Sequence, residues 1–341
     1  MATSTPTAAI LLVGGLGTRL APLTLSTPKP MIPVAGIPFT EHQIAKARAA
    51  GITEIVLATS YLSDVFEPYF GDGRRFGLSI SYAVEESPMG TGGAIAHAAQ
   101  YLYNSGSVVI LNGDVLSSHD LPAQMSLHSL KNASVTLHIK EVEDARAFGV
   151  VEMSGDRIFS FNEKMENPPT KLINAGCYIF SRDVIDAIPR RKVVSVEREV
   201  FPELLRQGAP MYGFLDSSYW LDLGTPPALL QATADLISGR AHSVAFEELM
   251  QHNEFRVENR SLIAQSAIID PSAKVISGSF IADGALVRAD AVITGSIIGA
   301  GAEVGSRSSL LNSFVAPDTE IPAGFIAENQ FFGFSGKKIP F

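Results

Sequence analysis

The sequence has a single cysteine, Cys177, among 341 residues. One thiol excludes a disulfide framework and points to a reducing compartment, the cytoplasm. Cys177 lies in the apolar run Cys177-Tyr178-Ile179-Phe180 and reads as core rather than as a nucleophile. Positive charge is also short. Lys and Arg number 26 against 35 Asp and Glu, a formal net charge of −9. That balance leaves no basic footprint, so neither nucleic acid nor an anionic membrane is an expected partner. Long hydrophobic runs are missing too. The apolar run at 8–13 is too short for a signal peptide or a membrane span, and glycines end it. What the chain does have is 46% hydrophobic residues, enough for a full core and for two domains.

The run at 8–13 reads as a buried strand entering glycine. A helix is expected over 40–50, with Thr40 as N-cap, Gln43 completing a capping box and Gly51 at the stop. Strands follow at 54–59, 79–84 and 107–111, with helices at 63–70 and 92–102 between them. Strands alternating with helices imply a mostly parallel sheet covered on both faces. Residues 130–222 are less regular. Strands are expected at 134–140, 149–153, 157–163 and 174–180, and helices at 181–188, 199–207 and 226–238. This stretch reads as a second, substrate-facing lobe.

The pattern changes after the charged segment 247–260. Ile269, Val275, Ile281, Val287 and Ile293 fall six residues apart. The register slips by one, Ile298, Val304 and Leu310 keep the six, and a second slip precedes Val315 and Ile321. Small residues fill the gaps. A hexapeptide repeat means a solenoid of short parallel strands, here about three triangular coils. The aromatic tail Phe331-Phe332-Gly333-Phe334 would cap the open coil or meet another subunit, and a homo-oligomer is expected. The fold class is therefore α/β: a Rossmann-like mixed sheet at 8–240, a linker at 241–260 and a left-handed parallel β-helix at 261–341.

Four constellations carry chemistry. Gly14-Gly15-Leu16-Gly17 directly follows a strand, and glycines there let backbone N–H groups meet an anion. A dinucleotide fingerprint fails because its third glycine position is Leu20, and no Gly-Lys-Ser/Thr completes a Walker loop. Arg19 follows, then Lys29 between Pro28 and Pro30, whose rings fix where the lysine points. Two cations beside a glycine nest suit a triphosphate. Asp114, in Asn112-Gly113-Asp114, lies on the rim where open α/β sheets bind ligands. A carboxylate facing a triphosphate needs a metal between them, and Mg²⁺ takes one or two carboxylates plus phosphate oxygens. Asp222, in Trp220-Leu221-Asp222-Leu223-Gly224-Thr225-Pro226, is its partner or else a plain helix N-terminal carboxylate. Glu163-Lys164 and Asn174-Ala175-Gly176 offer an acceptor for sugar hydroxyls and a second phosphate-binding lysine. Glu85 and Glu86 stand before Pro88-Met89-Gly90-Thr91-Gly92-Gly93. A carboxylate accepts both donors of guanine's edge, whereas uracil and thymine suit an amide. The base is therefore read as guanine.

These motifs together resemble the sugar-1-phosphate nucleotidylyltransferases. The signature runs Gly-Gly-Leu-Gly-Thr-Arg-Leu-x-Pro-Leu-Thr and then Pro-Lys-Pro-Met. "PMGTGGAI", "NGD", "NEK", "INAG" and "WLDLGTP" follow in the family's order, and the match covers nearly all of the chain beyond residue 7. "VSVEREVFPELL" at 194–205 and the hexapeptide repeats place the likeness closest to the members that join GTP to mannose 1-phosphate, giving GDP-mannose and pyrophosphate. The resemblance implies that Gly14 and Gly15 meet the base and ribose, with Gly17 and Thr18 also binding the nucleotide. It implies Arg19 on the leaving phosphates, Lys29 on the α-phosphate and sugar phosphate, and Asp114 and Asp222 on Mg²⁺. Glu85 and Gly90 would contact the base. Gly149, Glu163, Asn174 and Gly176 would shape the sugar pocket, with Lys164 on the sugar phosphate. Met165 stands where the family often has proline. Relatives that also carry an acyltransferase use a histidine base in the β-helix. The last histidine here is His252, so that helix reads as structural, regulatory or oligomeric.

Overall fold

A nine-stranded sheet organises the N-terminal two thirds of the chain. The protein is described by a computed structural model covering residues 6–15, 17–25, 27–60, 63–103, 106–333 and 339–340. Leu16, in the glycine loop, and Phe334, in the aromatic tail, lie outside the described residues. The fold divides into two compact units. One comprises Met1–Leu16 and Gln43–Trp220, the other Gly17–His42 and Leu221–Phe341.

The first unit holds the whole large sheet. Its strands are β1 (Ala8–Leu12), β2 (Glu54–Thr59), β3 (Ser79–Val84), β4 (Ser107–Asn112), β5 (Val135–Glu141), β6 (Gly149–Ser154), β7 (Arg157–Glu163), β8 (Leu172–Ser181) and β9 (Met211–Leu215). The order is β3-β2-β1-β4-β8-β5-β9-β7-β6. The first four are parallel, with Leu12 opposite both Ala58 and Asn112. The strands β1, β2 and β4 read as near-continuous apolar runs because both faces are covered, and Ile10, Val56 and Ile110 have no exposed surface. The helix α2 (Gly90–Ala98) packs on β1 and β2 with Ile95 fully buried.

The strands expected over 130–222 continue the first sheet: β8 runs antiparallel to β4, Cys177 opposite Leu111. One expectation changes here. The capping box on α1 (Phe39–Ala49) does not form. Thr40 Oγ1 donates to Pro30 O at 2.8 Å, and Gln43 Nε2 donates to Asn112 O at 2.5 Å. Both side chains serve distant backbone rather than their own helix start. The helix α3 (Leu121–Leu130) and strand β9 had no counterpart in the sequence reading, although Asp120 caps α3 by accepting from Ala123 N. Cys177 is core as expected: it is buried, and burial pushes its thiol up to about 12.

In the second unit the helix α4 (Pro226–Ile237) starts at an N-cap, Thr225, with proline in its first turn. Segment 17–42 packs with this part of the chain: Ala35 N donates to Thr233 Oγ1 at 3.2 Å, and a Cβ on Gly36 would lie 3.1 Å from the Phe280 ring. Residues 241–260 form the helix α5 (Val244–Gln251) and a strand, Phe255–Glu258, that pairs antiparallel with Ser261–Ala264.

The repeat then builds three stacked sheets. Ile263, Ile281, Ile298, Val315 and Phe332 stack in one column. Ile269, Val287, Val304 and Ile321 form the second, and Val275, Ile293, Leu310 and Ala327 the third. Nearly all are buried. There are about four coils rather than three, because Ile263, Ala327 and Phe332 also hold column positions. Phe331 and Phe332 sit within the last coil, both buried.

Both register slips fall at one corner, between the third column and the first. The first coil turns it with Ser277, Gly278 and Ser279, while later coils omit one residue and place Gly295, Asn312 or Asn329 at positive φ. The extra residue comes where Gly278 lies against Ala234 of α4, too close for any Cβ. Inside the corner runs a serine ladder. Ser313 N donates to Ser296 Oγ at 3.0 Å and Gln330 N to Ser313 Oγ at 3.3 Å, so each buried N–H finds the hydroxyl of the preceding coil.

Candidate functional site

In the first unit the parallel strands deliver their ligand-bearing loops to one edge. Gly14 and Gly15 follow β1, Glu85 follows β3, and Asp114 comes two residues after β4. Gly113 makes this possible. Its N–H donates to Leu12 O at 2.9 Å, and any Cβ there would collide with that carbonyl. Ser60 Oγ closes on Gly14 O, and a Cβ on Gly14 would lie 2.9 Å from that hydroxyl. Gly15 is exposed, with open space where a Cβ would be. Backbone at Gly15 is thus free of side-chain cover, as a close-approach role requires.

Glu85 is half-buried and Glu86 exposed. Glu85 Oε2 accepts from Met89 N at 3.1 Å, and burial raises the pKa of that carboxyl. Gly90 has φ +69 and lies against the Val194 carbonyl, while Gly92 N donates to Val194 O at 2.8 Å. The glycines of Gly-Thr-Gly-Gly therefore have a packing reason: α2 starts flush against the segment around Val194.

The residues that the resemblance assigns to a sugar pocket also lie within this unit. Gly149 pairs opposite Glu163, and a Cβ at 149 would lie 3.1 Å from Glu163 Oε2. Burial, and then the charge of Glu197, raise the pKa of Glu163. Lys164 has φ +54, a left-handed conformation that strains a non-glycine residue. That turn carries the lysine off the strand, 3.9 Å from Glu163 Oε1 and largely exposed. Asn174 and Gly176 lie at a bulge in β8, where the pairing with β5 shifts register. Asn174 Oδ1 accepts from Gly176 N, and a Cβ on Gly176 (φ +80) would lie 3.1 Å from Asn112 Nδ2. Asn174 and Gly176 thus adjoin the turn that carries Asp114.

Three residues bonded next to these positions escaped the sequence reading. Glu197, in a short π-helix Val196–Val200, accepts from Thr91 Oγ1 at 2.8 Å, Ser195 Oγ at 3.0 Å and Tyr178 OH at 3.2 Å. Trp220 Nε1 donates to Ala175 O at 2.9 Å. Lys46 is half-buried and donates to Ser117 and His119, just past the Asp114 turn. "VSVEREVFPELL" and the lone Trp were visible signals, whereas Lys46 sits in an unremarkable helix pattern. A polar cavity of about 20 Å³ adjoins Lys46, Asn112 and Gly176. Gln43 Oε1, Asn112 Oδ1 and both His138 nitrogens are buried there without protein partners. The space admits about one water.

The second unit holds the cations and the other carboxylate. Gly17, at φ +60, starts a 3₁₀ turn, Thr18–Leu20, and a Cβ on it would lie 2.8 Å from Lys29 Cβ. Thr24 Oγ1 donates back to Gly17 O at 3.1 Å. Thr18 and Arg19 are exposed. Pro28 and Pro30 are buried around half-buried Lys29, and Thr40 holds Pro30 O. Asp222 Oδ1 accepts from Gly224 N at 2.7 Å. A Cβ on Gly224 would lie 2.5 Å from that oxygen and 2.6 Å from Arg19 Nη2, so the guanidinium and the carboxylate flank one glycine.

Among the described residues no cluster of three or more His, Cys, Asp or Glu could enclose a metal. A carboxylate is a hard oxygen donor of the kind divalent cations take together with phosphate oxygens and water. No helix of the described residues is long and apolar enough to cross a membrane.

Residues 8–239 match the nucleotidyl transferase family model. A mannose-1-phosphate guanylyltransferase of Mycobacterium tuberculosis is 47% identical over 295 residues, covering 83% of this chain and 82% of that one. Mannose-1-phosphate guanyltransferase beta-B of Xenopus laevis is 34% identical over 271 residues, covering 78% and 72%. Among solved structures, HddC from Yersinia pseudotuberculosis complexed with GMP-PN aligns with a TM-score of 0.56 and 27% identity, over 66% of this chain and 97% of that one.

Proposed function

The chain belongs to the nucleotidyl transferase family, and we propose that it moves the guanylyl group of GTP onto mannose 1-phosphate, releasing pyrophosphate and leaving GDP-mannose. The observation that carries this reading is the shared edge: a glycine loop, a half-buried carboxylate able to read a base, and Asp114 all follow strands of one four-stranded parallel block. The names of the relatives favour guanine and mannose.

An oxygen of the sugar phosphate attacks the α-phosphorus of GTP. The new P–O bond forms as the bond to the β-phosphate oxygen breaks, and pyrophosphate leaves with that electron pair. The nucleophile is already an anion, so no general base is needed. Catalysis is positioning and charge neutralisation. Lys29 holds the α-phosphate and sugar phosphate, Arg19 the departing phosphates. Gly14, Gly15, Gly17 and Thr18 seat the nucleotide, Glu85 and Gly90 the base. Gly149, Glu163, Asn174 and Gly176 seat the sugar, and Lys164 its phosphate. Enzymes of this kind use a divalent metal, and we assign Mg²⁺ to Asp114 and Asp222, where it would offset phosphate charge.

Pyrophosphate release across four nucleoside triphosphates and several sugar 1-phosphates tests the reading. GTP with mannose 1-phosphate should be the fastest pair. A strong preference for dTTP or UTP would overturn the guanine assignment, and nucleotide binding with no pyrophosphate from any pair would overturn the enzymatic one.

A further inference from the structure

We propose that Gln43 and Lys46, one turn apart on α1, are positioning residues that hold the Asn112–Ser117 backbone so that Asp114 presents its carboxylate to the metal. The proposal rests on the reading of Asp114 as a metal ligand. Gln43 Nε2 donates to Asn112 O at 2.5 Å and to Val115 O at 3.4 Å. Lys46 Nζ donates to Ser117 O at 2.7 Å and to His119 Nδ1 at 2.8 Å. One helix face thus grips carbonyls on both sides of Asp114, two of them within two residues of it. On the opposite side Gly113 N is tied to Leu12 O and Gly176 closes against Asn112. The turn is fixed from three directions while Asp114 itself is half-buried.

Lys46 is an expensive way to build this grip. Among the described residues no ion pair reaches it. Its other contact is an imidazole: His119 Nε2 meets Gln124 Oε1 at 3.0 Å, so its proton sits there and Nδ1 is left to accept. Burial strips the ammonium of water and lowers its pKa to about 8. Asp216 and Asp120 lie beyond ion-pair distance and offset that loss only in part, so the cation is a poor stabiliser. A methionine would fill the same volume without that cost. What methionine cannot do is donate to Ser117 O. The role of Lys46 is therefore geometric, exerted through the Asp114 turn.

The test is GTP binding by equilibrium dialysis, with and without Mg²⁺, on wild type, Lys46→Met, Gln43→Leu and Asp114→Asn, alongside thermal unfolding and turnover. Without Mg²⁺ all four should bind GTP alike. The Mg²⁺-dependent gain in affinity should vanish in Asp114→Asn and fall about tenfold in the other two, the scale for losing a support behind a metal ligand. Lys46→Met should melt at or above wild type, and turnover of both positioning variants should recover at high Mg²⁺. A purely structural role would lower melting and leave the Mg²⁺ gain intact. If Asp114→Asn loses the gain while Lys46→Met and Gln43→Leu keep it, the positioning inference fails. If Asp114→Asn keeps it, the metal assignment of Asp114 fails, and the inference with it. Should Lys46→Met not fold, Gln43→Leu decides.

Discussion

Lys29 has its stem packed against Gly17, between two buried prolines, and Thr40 holds the carbonyl of Pro30. A charge held this way loses little entropy when a phosphate binds. Lys29→Ala and Asp222→Ala should fold normally and lose about 10²–10³ in turnover, or ~3–4 kcal/mol of transition-state stabilisation. Circular dichroism and pyrophosphate release check the two halves of that statement, and near wild-type turnover would sink both roles. Glu85→Gln addresses the base. An amide cannot accept two guanine donors, so the preference for GTP over UTP should shrink about 10- to 100-fold, on the scale of one or two hydrogen bonds to a charged group. Competition assays between the two triphosphates read this directly. Single residues were legible where their type was distinctive: paired prolines, glycines after a strand, carboxylates before a turn. Thr40 and Gln43 misled because a capping box and a long-range backbone clamp use the same side chains. Nothing local distinguishes them. Lys46 was invisible for a related reason, since a helical lysine ordinarily faces water.

Elements were more legible than residues, because periodicity averages over many side chains. The four parallel strands and the hexapeptide repeat both emerge where apolar residues recur at a fixed step. The repeat's slips had no explanation in sequence. They are the mark of one corner, shortened by a residue in every coil after the first. The serine ladder at that corner is testable. Ser296→Ala removes the acceptor for Ser313 N inside a dry turn, leaving a buried donor unpaired. The expected loss is about 1–3 kcal/mol in urea unfolding, against a few tenths of a kcal/mol for an exposed serine. An unchanged midpoint would mean that the hydroxyls contribute nothing to coil stacking. Strand β9 was missed because it has only five residues, one of them a glycine, and its pairing partners lie far along the chain.

At the scale of the molecule, buried histidines set the response to acid. Burial lowers His42 and His128 to about 4 and His138 to about 3, and it holds His119 well below its usual value. These rings stay neutral in the fold while the unfolded chain protonates near pH 6.5. Their contribution is therefore complete above pH 6.5. It declines as pH falls toward 4 and 3, at about 1.4 kcal/mol per pH unit for each proton taken up only by the unfolded chain. Calorimetry should show melting temperature falling steeply between pH 6.5 and 4. A flat profile there would contradict the neutral, buried assignments. The division of the chain into units carries a different consequence, one of timing. Gly17–His42, with Arg19 and Lys29, belongs with Leu221–Phe341 rather than with the sheet that follows it. On the ribosome the first sheet can begin to form while the cationic loop, made earlier, still waits for partners such as Thr233 and Phe280 to emerge. The packing that holds the loop of Arg19 and Lys29 is thus completed only once residues some two hundred positions further along have been made.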